Sequence, residues 1–476
     1  MTRVRELVRR VSACDHAGEW EQAKPMLMEL LRIDPEHRAE VCRALGVMSQ
    51  KLTRAEEALT WYRQALIADP SDAVVHGLLI TLLDISPEET HASLQAERCR
   101  WWEQHGVSLY ASRIEHMNDR TIDRPLRVGY VSGDFRLHSV MLTVHGLMMT
   151  HTPAVVPFFY SSTPPRLYDE VTAVTQRHDG WRDVHDLSDE ALADRIRQDG
   201  IDILVDLSGY TPFNRLLTFC RKPAPIQVTA WGYATGVGWP AMDVLFSDAT
   251  VIPLQQRAQY VERIVDLPSV LPYDGMAHPA ATTLPCQTRS PTFGVFQRSA
   301  KLNDAVLRVW AELLQRLPTS RLVFKSPFYS SATREWIQRK MDVSDRIEFW
   351  EGTSYRRHMA AHLDIDVMLD PFPACGGVTS CETLWMGVPP MTLIGDRLVQ
   401  RVTSSLLTTL GLTDFIATTT DDYIEQAIAW VTVRREELSR IRLTLRDRMA
   451  ASPLCTGYRE TVEGLYRQLW QEWCQS

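Results

Sequence analysis

Residues 365–395, IDVMLDPFPACGGVTSCETLWMGVPPMTLIG, constrain the fold more than any other stretch. An apolar run, interrupted by Asp366, ends in Asp370. A Pro-rich turn leads to Gly376-Gly377-Val378-Thr379-Ser380, then to a helix-like pattern over 381–387 and a second apolar run over 388–394. Strand, small-residue loop, helix and strand form the repeating unit of a parallel α/β sheet. The loop falls where amides at a helix N-terminus lack intrahelical partners, which makes it a ready anion site. Two glycines let a ligand approach the backbone closely. Short Gly pairs also occur in purely structural turns, so this pattern alone leaves both readings open.

A chain of 476 residues predicts roughly three domains. A hydrophobic content of 45% and a charged content of 23% fit a globular protein with ample core. The net charge of −8 argues against a general binder of nucleic acid or acidic membrane, though a local basic cleft stays compatible with it. The nine cysteines are scattered and form no C-x-x-C pair, so reduced thiols in a cytoplasmic setting are expected, not a disulfide framework. Cys375 and Cys381 flank the Gly pair but have no His or Cys at metal spacing, so no metal is expected there. Arg3, Arg5, Arg9 and Arg10 interrupt the start, which predicts no signal peptide. No apolar run reaches the roughly 18 residues of a membrane span.

Residues 1–118 repeat themselves. Glu21-Gln22-Ala23 leads to Asp34-Pro35, and Glu56-Glu57-Ala58 leads to Asp69-Pro70, each at an offset of 35. That is close to the tetratricopeptide period of about 34. A plain helical bundle fits the same pattern. Helical spacing predicts buried faces at Leu59, Tyr62 and Leu66, and at Val74, Leu78 and Leu82. Trp101-Trp102 is expected to close the array as core. Two clear repeats are fewer than a free-standing array needs, so the segment is expected to pack on the neighbouring α/β domain and serve as a short docking arm for peptide or protein.

A first α/β lobe is predicted over 119–285. Strands are expected at 126–132, 155–160, 201–207, 224–233 and 242–246, with a helix at 189–198. The first strand runs into Gly133-Asp134-Phe135-Arg136-Leu137-His138, at the sheet end where ligands sit in open α/β folds. His138 therefore stands where a base or hydrogen-bond donor is useful, although a capping or surface histidine fits the same position. Ser208-Gly209-Tyr210-Thr211 and the Gly-rich run from Tyr233 to Gly238 end two other strands. Gly209, Tyr210 and Tyr233 are the acceptor-side candidates. The run shows no G-x-G-x-x-G fingerprint and reads equally as a flexible turn.

Residues 274–292 read as a linker to a second α/β lobe over 286–476. Its expected strands are 292–296, 322–325 and 347–350, besides those of the opening stretch. Helices are expected near 302–317, 355–363, 398–410, 423–434 and 461–473. Lys301 lies between a strand end and a helix start, where a compact three-donor charge can meet a diphosphate; most lysines in such loops are merely solvated. His358 and His362 are four residues apart, but no third ligand or H-E-x-x-H pattern accompanies them. Two α/β lobes with an anion corner in the second suggest the arrangement of nucleotide-sugar transferases.

The blocks RVGYVSGDFRLHSV, DILVDLSGYTPFNRLLTFCRKPAPIQVTAWGY, KLNDAVLRVWAELLQRLPTSRLVF and DPFPACGGVTSCETLWMGVPPMTL, in that order, resemble glycosyltransferase family 41. The family includes protein O-GlcNAc transferases, SPINDLY-type O-fucosyltransferases and bacterial protein glucosyltransferases. The resemblance covers about residues 124 to 470 and implies a GT-B fold of two Rossmann-like lobes behind an N-terminal tetratricopeptide-like domain. It places His138 in the first-lobe active-site loop, Lys301 on the donor diphosphate and His358 beside the base. It places Gly376, Gly377, Val378 and Thr379 on the diphosphate loop and Glu382 on the ribose.

The chain also departs from the O-GlcNAc transferase pattern. Gly377 and Val378 stand where those enzymes carry histidine and threonine, and Arg298 where they carry an amide three residues before the lysine. Each lost side-chain donor is worth about 1–3 kcal/mol to the diphosphate grip unless Arg298 compensates. The expectation is an inverting, metal-independent protein glycosyltransferase without a bound cofactor. It would move a sugar from UDP-GlcNAc or a similar donor to Ser or Thr of a protein partner. Two alternatives are a non-catalytic partner-binding protein that kept the fold, and an enzyme acting on Asn.

Overall fold

An i-to-i+35 repeat shapes the first hundred residues. A computed structural model of the chain describes residues 2–233, 235–273, 289–327 and 329–476; the expected linker over 274–292 falls mostly outside them. Six helices come one after another in pairs: α1 (Thr2–Ala17) with α2 (Trp20–Ile33), α3 (Arg38–Lys51) with α4 (Ala55–Ala68), and α5 (Ala73–Ile85) with α6 (His91–Trp101). The repeated positions are equivalent in space as well as in sequence: Ala23 and Ala58, and Leu30 and Ala65, are buried in α2 and α4.

The buried face of α5 differs from the expected one. Val75, Leu79, Leu82 and Leu83 are buried, while Val74 is 52% exposed. The Asp72 carboxylate fixes the helix start by accepting from the amides of Val74 and Val75 at 3.0 and 2.9 Å. The helix is apolar nearly all round because it packs both on the array and, through Ile80, on the first lobe. Such a sequence carries no phase. Trp101 closes the array as core: it stacks on Trp239 of the first lobe at 5.8 Å, and Trp102 stacks on Trp239 at 5.2 Å.

The first sheet comprises β1 (Leu126–Ser132), β2 (Val155–Ser161), β3 (Trp181–Asp183), β4 (Ile203–Asp206), β5 (Ile226–Thr229), β6 (Val244–Ser247) and β7 (Arg263–Asp266). The second comprises β8 (Thr292–Val295), β9 (Arg321–Lys325), β10 (Ile347–Trp350), β11 (Val367–Leu369), β12 (Pro390–Leu393) and β13 (Ile416–Ala417). The strand orders are 3-2-1-4-5-6-7 and 10-9-8-11-12-13, and every pairing is parallel. Both are Rossmann-like α/β sheets, and the pair gives a GT-B-like fold. Central strands such as β4 are buried throughout, as expected for parallel sheets covered on both faces.

Several boundaries move. The strand expected over 224–233 stops at Thr229, because Trp231 takes a left-handed φ of +45°. Edge strands β3, β7 and β13 and the helix Arg435–Ala450 come in addition to the expected elements. The helix expected from 381 begins at Val378. The last helix, Tyr458–Gln475, comes after the second lobe in sequence yet packs on the first sheet: Tyr458, Val462, Tyr466 and Trp470 share a core with Val128, Tyr130 and Phe246.

Candidate active site

In an open α/β sheet, ligands sit beyond the strand C-termini where the winding reverses. Here β1 is flanked by β2 and β4, and β8 by β9 and β11. The loop after β1 carries His138, and the loop after β8 carries Arg298 and Lys301. The two reversal points face each other across one cleft.

The second-lobe side is a pinned loop. Asp370, ending β11, is fully buried; its Oδ1 accepts the Gly376 amide at 2.6 Å and its Oδ2 accepts Thr392 Oγ1 at 2.8 Å. Asn303 Nδ2 donates to the Phe372 carbonyl at 2.7 Å, and Lys301 Nζ donates to the Cys375 carbonyl at 2.5 Å. Gly376 is required by space: a Cβ there would lie 2.0 Å from Ser380 Oγ. At Gly377 an added Cβ would meet only Leu271 Cδ1, at 3.5 Å. The helix Val378–Trp385 then begins, and its opening amides have no intrahelical acceptor.

A cavity of about 260 Å³ lies at this corner, lined by His138, Trp231, Gly232, Tyr233 and Thr235 from the first lobe and by Lys301, Cys375, Gly376, Gly377 and Val378 from the second; Ile85 enters from the helical array. A cavity of about 740 Å³ begins at the next residues along two of those segments, Leu137 and Thr379, and is lined also by Arg298, Lys325, Tyr355 and His358. Another, of about 700 Å³, lies at the opposite, N-terminal edge of the first sheet. Its arginines are already engaged, Arg124 with Asp202, Arg127 with the Asp199 carbonyl and Arg197 with Asp194.

Burial pushes the Lys301 amine below its usual range, and Arg298 adds to that shift while Cys375 and Asp370 oppose it. Burial likewise lowers His138, with Asp134 pulling it up and Arg298 and Arg136 pushing it down. His138 Nδ1 is 3.5 Å from Asp134 Oδ2 and makes no hydrogen bond among the described residues. Arg298 is lowered by burial and drawn up by Asp134, so the charges of the two lobes sense one another across the cleft.

The sequence candidates thus divide. His138, Lys301, Gly376, Gly377 and Val378 border the inner cavity; Arg298, His358 and Thr379 border the outer one. Glu382 borders neither. It is 5% exposed, 3.7 Å from His358 Nε2, and bonded to the Tyr355 hydroxyl. Of the acceptor-side candidates, Tyr233 lines the cleft, while Gly209 and Tyr210 stand behind it. Gly209 packs on the Tyr233 ring, where a Cβ would be 2.2 Å away, and the Tyr210 hydroxyl donates to the Val237 carbonyl at 2.7 Å. His362 is fully buried and bonded to backbone carbonyls, and burial pushes it down to about 3. Among the described residues no group of three His, Cys, Asp or Glu is placed to hold a metal. Sequence reasoning missed Asp370, Asn303 and Ile85. An acid closing an apolar strand just before a glycine loop was the available signal for Asp370; Ile85 had none.

The sequence model of glycosyl transferase family 41 matches residues 84–273 and 285–462. A curated relative from Solanum lycopersicum, described as a probable UDP-N-acetylglucosamine–peptide N-acetylglucosaminyltransferase SPINDLY, is 32% identical over 407 residues, 79% of this chain and 42% of its own length. The Arabidopsis thaliana protein described as the probable transferase SEC is 28% identical over 372 residues, 73% of this chain and 37% of its own. The chain thus spans about two-fifths of the length of the curated relatives it matches. Among solved structures, the Thermobaculum terrenum O-GlcNAc transferase K341M mutant superposes with a TM-score of 0.81 at 28% identity, covering 100% of this chain and 98% of that one.

Proposed function

The chain belongs to glycosyltransferase family 41, and from that premise we propose that it transfers a sugar from UDP-GlcNAc or a related nucleotide sugar to a Ser or Thr hydroxyl of a protein, in the cytoplasm, without a metal and with inversion. The observation that carries this reading is the shared corner: the Lys301 amine, 2.5 Å from the Cys375 carbonyl, stands at the mouth of the Val378–Trp385 helix, with His138 on the opposite wall of the same cavity.

The acceptor oxygen attacks the anomeric carbon on the face opposite the diphosphate, and the bond from that carbon to the β-phosphate oxygen breaks. The electron pair leaves with the nucleoside diphosphate. Lys301 has two N–H donors left for it after the Cys375 bond, and the helix mouth supplies roughly half a positive charge. Arg298 adds a second cation from the neighbouring cavity. Lys301 and the helix mouth are held in place before reaction, and donors set in advance stabilise developing negative charge best. The acceptor proton passes to His138, which burial keeps neutral at pH 7.

The relatives' descriptions, as peptide N-acetylglucosaminyltransferases using UDP-N-acetylglucosamine, support both donor and acceptor class. The test is incubation with UDP-GlcNAc, UDP-glucose and GDP-fucose and a mixture of Ser/Thr peptides, with and without EDTA, and then mass spectrometry of the modified residue. Release of no nucleotide and transfer of no sugar from any donor refutes the reading; sugar on Asn redirects it, and loss in EDTA refutes metal independence. A second reading, a partner-binding protein without catalysis, is favoured by the missing side-chain donors at Gly377 and Val378. Failure to bind either UDP or GDP in calorimetry would point to it.

A further inference from the structure

Four charged side chains are buried together where the helical array meets both lobes. Asp84 ends α5, Arg98 lies on α6, Glu262 immediately precedes β7 and Arg397 belongs to the loop after β12; each is less than 10% exposed. Arg98 Nη2 donates to Asp84 Oδ1 at 2.5 Å. The other Asp84 oxygen accepts the Tyr233 hydroxyl and lies 3.3 Å from Thr235 Oγ1. Arg397 reaches the Asp84 carbonyl at 3.4 Å. Tyr233, Thr235 and Ile85 all line the inner cavity, whereas Asp84 does not.

The same node grips the far half of the 231–238 loop. Glu262 Oε1 accepts the amides of Val237 and Gly238 at 2.7 and 2.8 Å, and Gln95 of α6 donates to the Gly238 carbonyl at 2.8 Å. Gly238 sits at φ +79°, and a Cβ there would lie 2.7 Å from Gln95 and 2.8 Å from Arg98. The loop also holds Trp231 at φ +45°, a conformation that persists only where its surroundings impose it. Burying four charges adds little stability over well-packed apolar residues, but it fixes geometry, because any displacement leaves a charge unpaired in a desolvated place.

We infer that Asp84, a residue of the helical array, is a positioning residue for the acceptor side of the cleft: through Tyr233 and with Arg98 it holds Tyr233 and residues 235–238 in the arrangement that receives a protein hydroxyl. The inference rests on the glycosyltransferase reading of this cleft. It makes the array part of the acceptor site, not only a docking arm, and leaves donor binding to the second lobe.

The test uses the full chain with Asp84→Asn and Tyr233→Phe; the second removes one hydroxyl and guards against misfolding of the first. Hydrogen exchange of the 235–239 amides is read alongside transfer from UDP-GlcNAc to the Ser/Thr peptide mixture and UDP binding by calorimetry. Losing a hydrogen bond to a charged group is expected to speed exchange about tenfold and to raise the acceptor KM about tenfold. The UDP Kd is expected to stay within about twofold, because the second lobe is untouched. A fall in Tm with loop exchange and acceptor KM unchanged in both variants overturns the inference. If the unmodified chain transfers no sugar, the function proposed above fails separately, and the exchange rates still decide whether Asp84 holds the loop.

Discussion

Gly376 and Gly377 are adjacent, and alanine at the two positions is expected to have unequal consequences. At 376 the new Cβ would lie 2.0 Å from Ser380 Oγ, 2.8 Å from Gln297 Nε2 and 3.0 Å from Asp370 Oδ1. Ser380 cannot simply turn away, since it is buried and bonded to Thr403 Oγ1 at 3.0 Å. The loop must move and give up its 2.6 Å amide bond to the Asp370 carboxylate. A hydrogen bond to a charged group contributes about 1.5–3 kcal/mol. At 377 the added methyl meets one carbon at 3.5 Å and displaces no neighbour, so a smaller loss than at 376 is expected. Urea unfolding monitored by tryptophan fluorescence reads stability, and calorimetry with UDP reads the site. Gly376→Ala should lower the unfolding midpoint and weaken UDP binding about tenfold or more; Gly377→Ala should lower the midpoint less. Equal midpoints for the two variants would refute the account of the loop as a pinned structure with space on only one side.

Lys301→Ala is expected to lower kcat by about a hundredfold or more, and Lys301→Arg to rescue little of it, because a fork does not replace a compact ammonium in a filled corner; a kcat within about threefold of the unmodified chain would count against the role of Lys301. Burial holds the His138 pKa down and Arg298 adds to it, so Arg298→Ala should raise it and move the acid limb of the kcat/KM profile to higher pH; an unmoved limb would count against His138 as the proton acceptor. His362 is buried with its pKa near 3 against 6.5 unfolded, so it costs nothing above pH 6.5 and destabilises progressively as pH falls from there towards about 3. Between pH 6 and 5 this amounts to about 1 kcal/mol, and pH-dependent unfolding of His362→Gln should lose that slope.

Much of the fold was legible because parallel strands buried on both faces read as unbroken apolar runs, as in Ile203-Leu204-Val205. The missed strands β3, β7 and β13 are short edges; Arg263-Ile264-Val265-Asp266 has only Val265 buried. The helix start at Val378 reads three residues late in the sequence because Val, Thr and Ser give weak helical signals, and only the loop geometry decides the first turn. The helix Arg435–Ala450 hid behind its charge. In the site, each lobe's own loop was readable from its place after a strand. The contacts between segments were not: Arg298 faces His138 across 160 residues of sequence, and Asp84 meets Tyr233 across 149. No local periodicity encodes such pairs. Tyr210 shows the converse: its place after a strand end is legible in the sequence, but the bond from its hydroxyl to the Val237 carbonyl is not.

The return of the Tyr458–Gln475 helix to the first sheet bears on how the protein can be dissected. The polypeptide passes from the first sheet to the second between β7 and β8 and returns with the last helix, so a cut between β7 and β8 leaves the second passage intact. Residues 119–285 produced alone would bare the surface that Val462, Tyr466 and Trp470 cover, and each such side chain is worth about 2 kcal/mol. An autonomous first lobe therefore calls for a circular permutation that carries the terminal helix along.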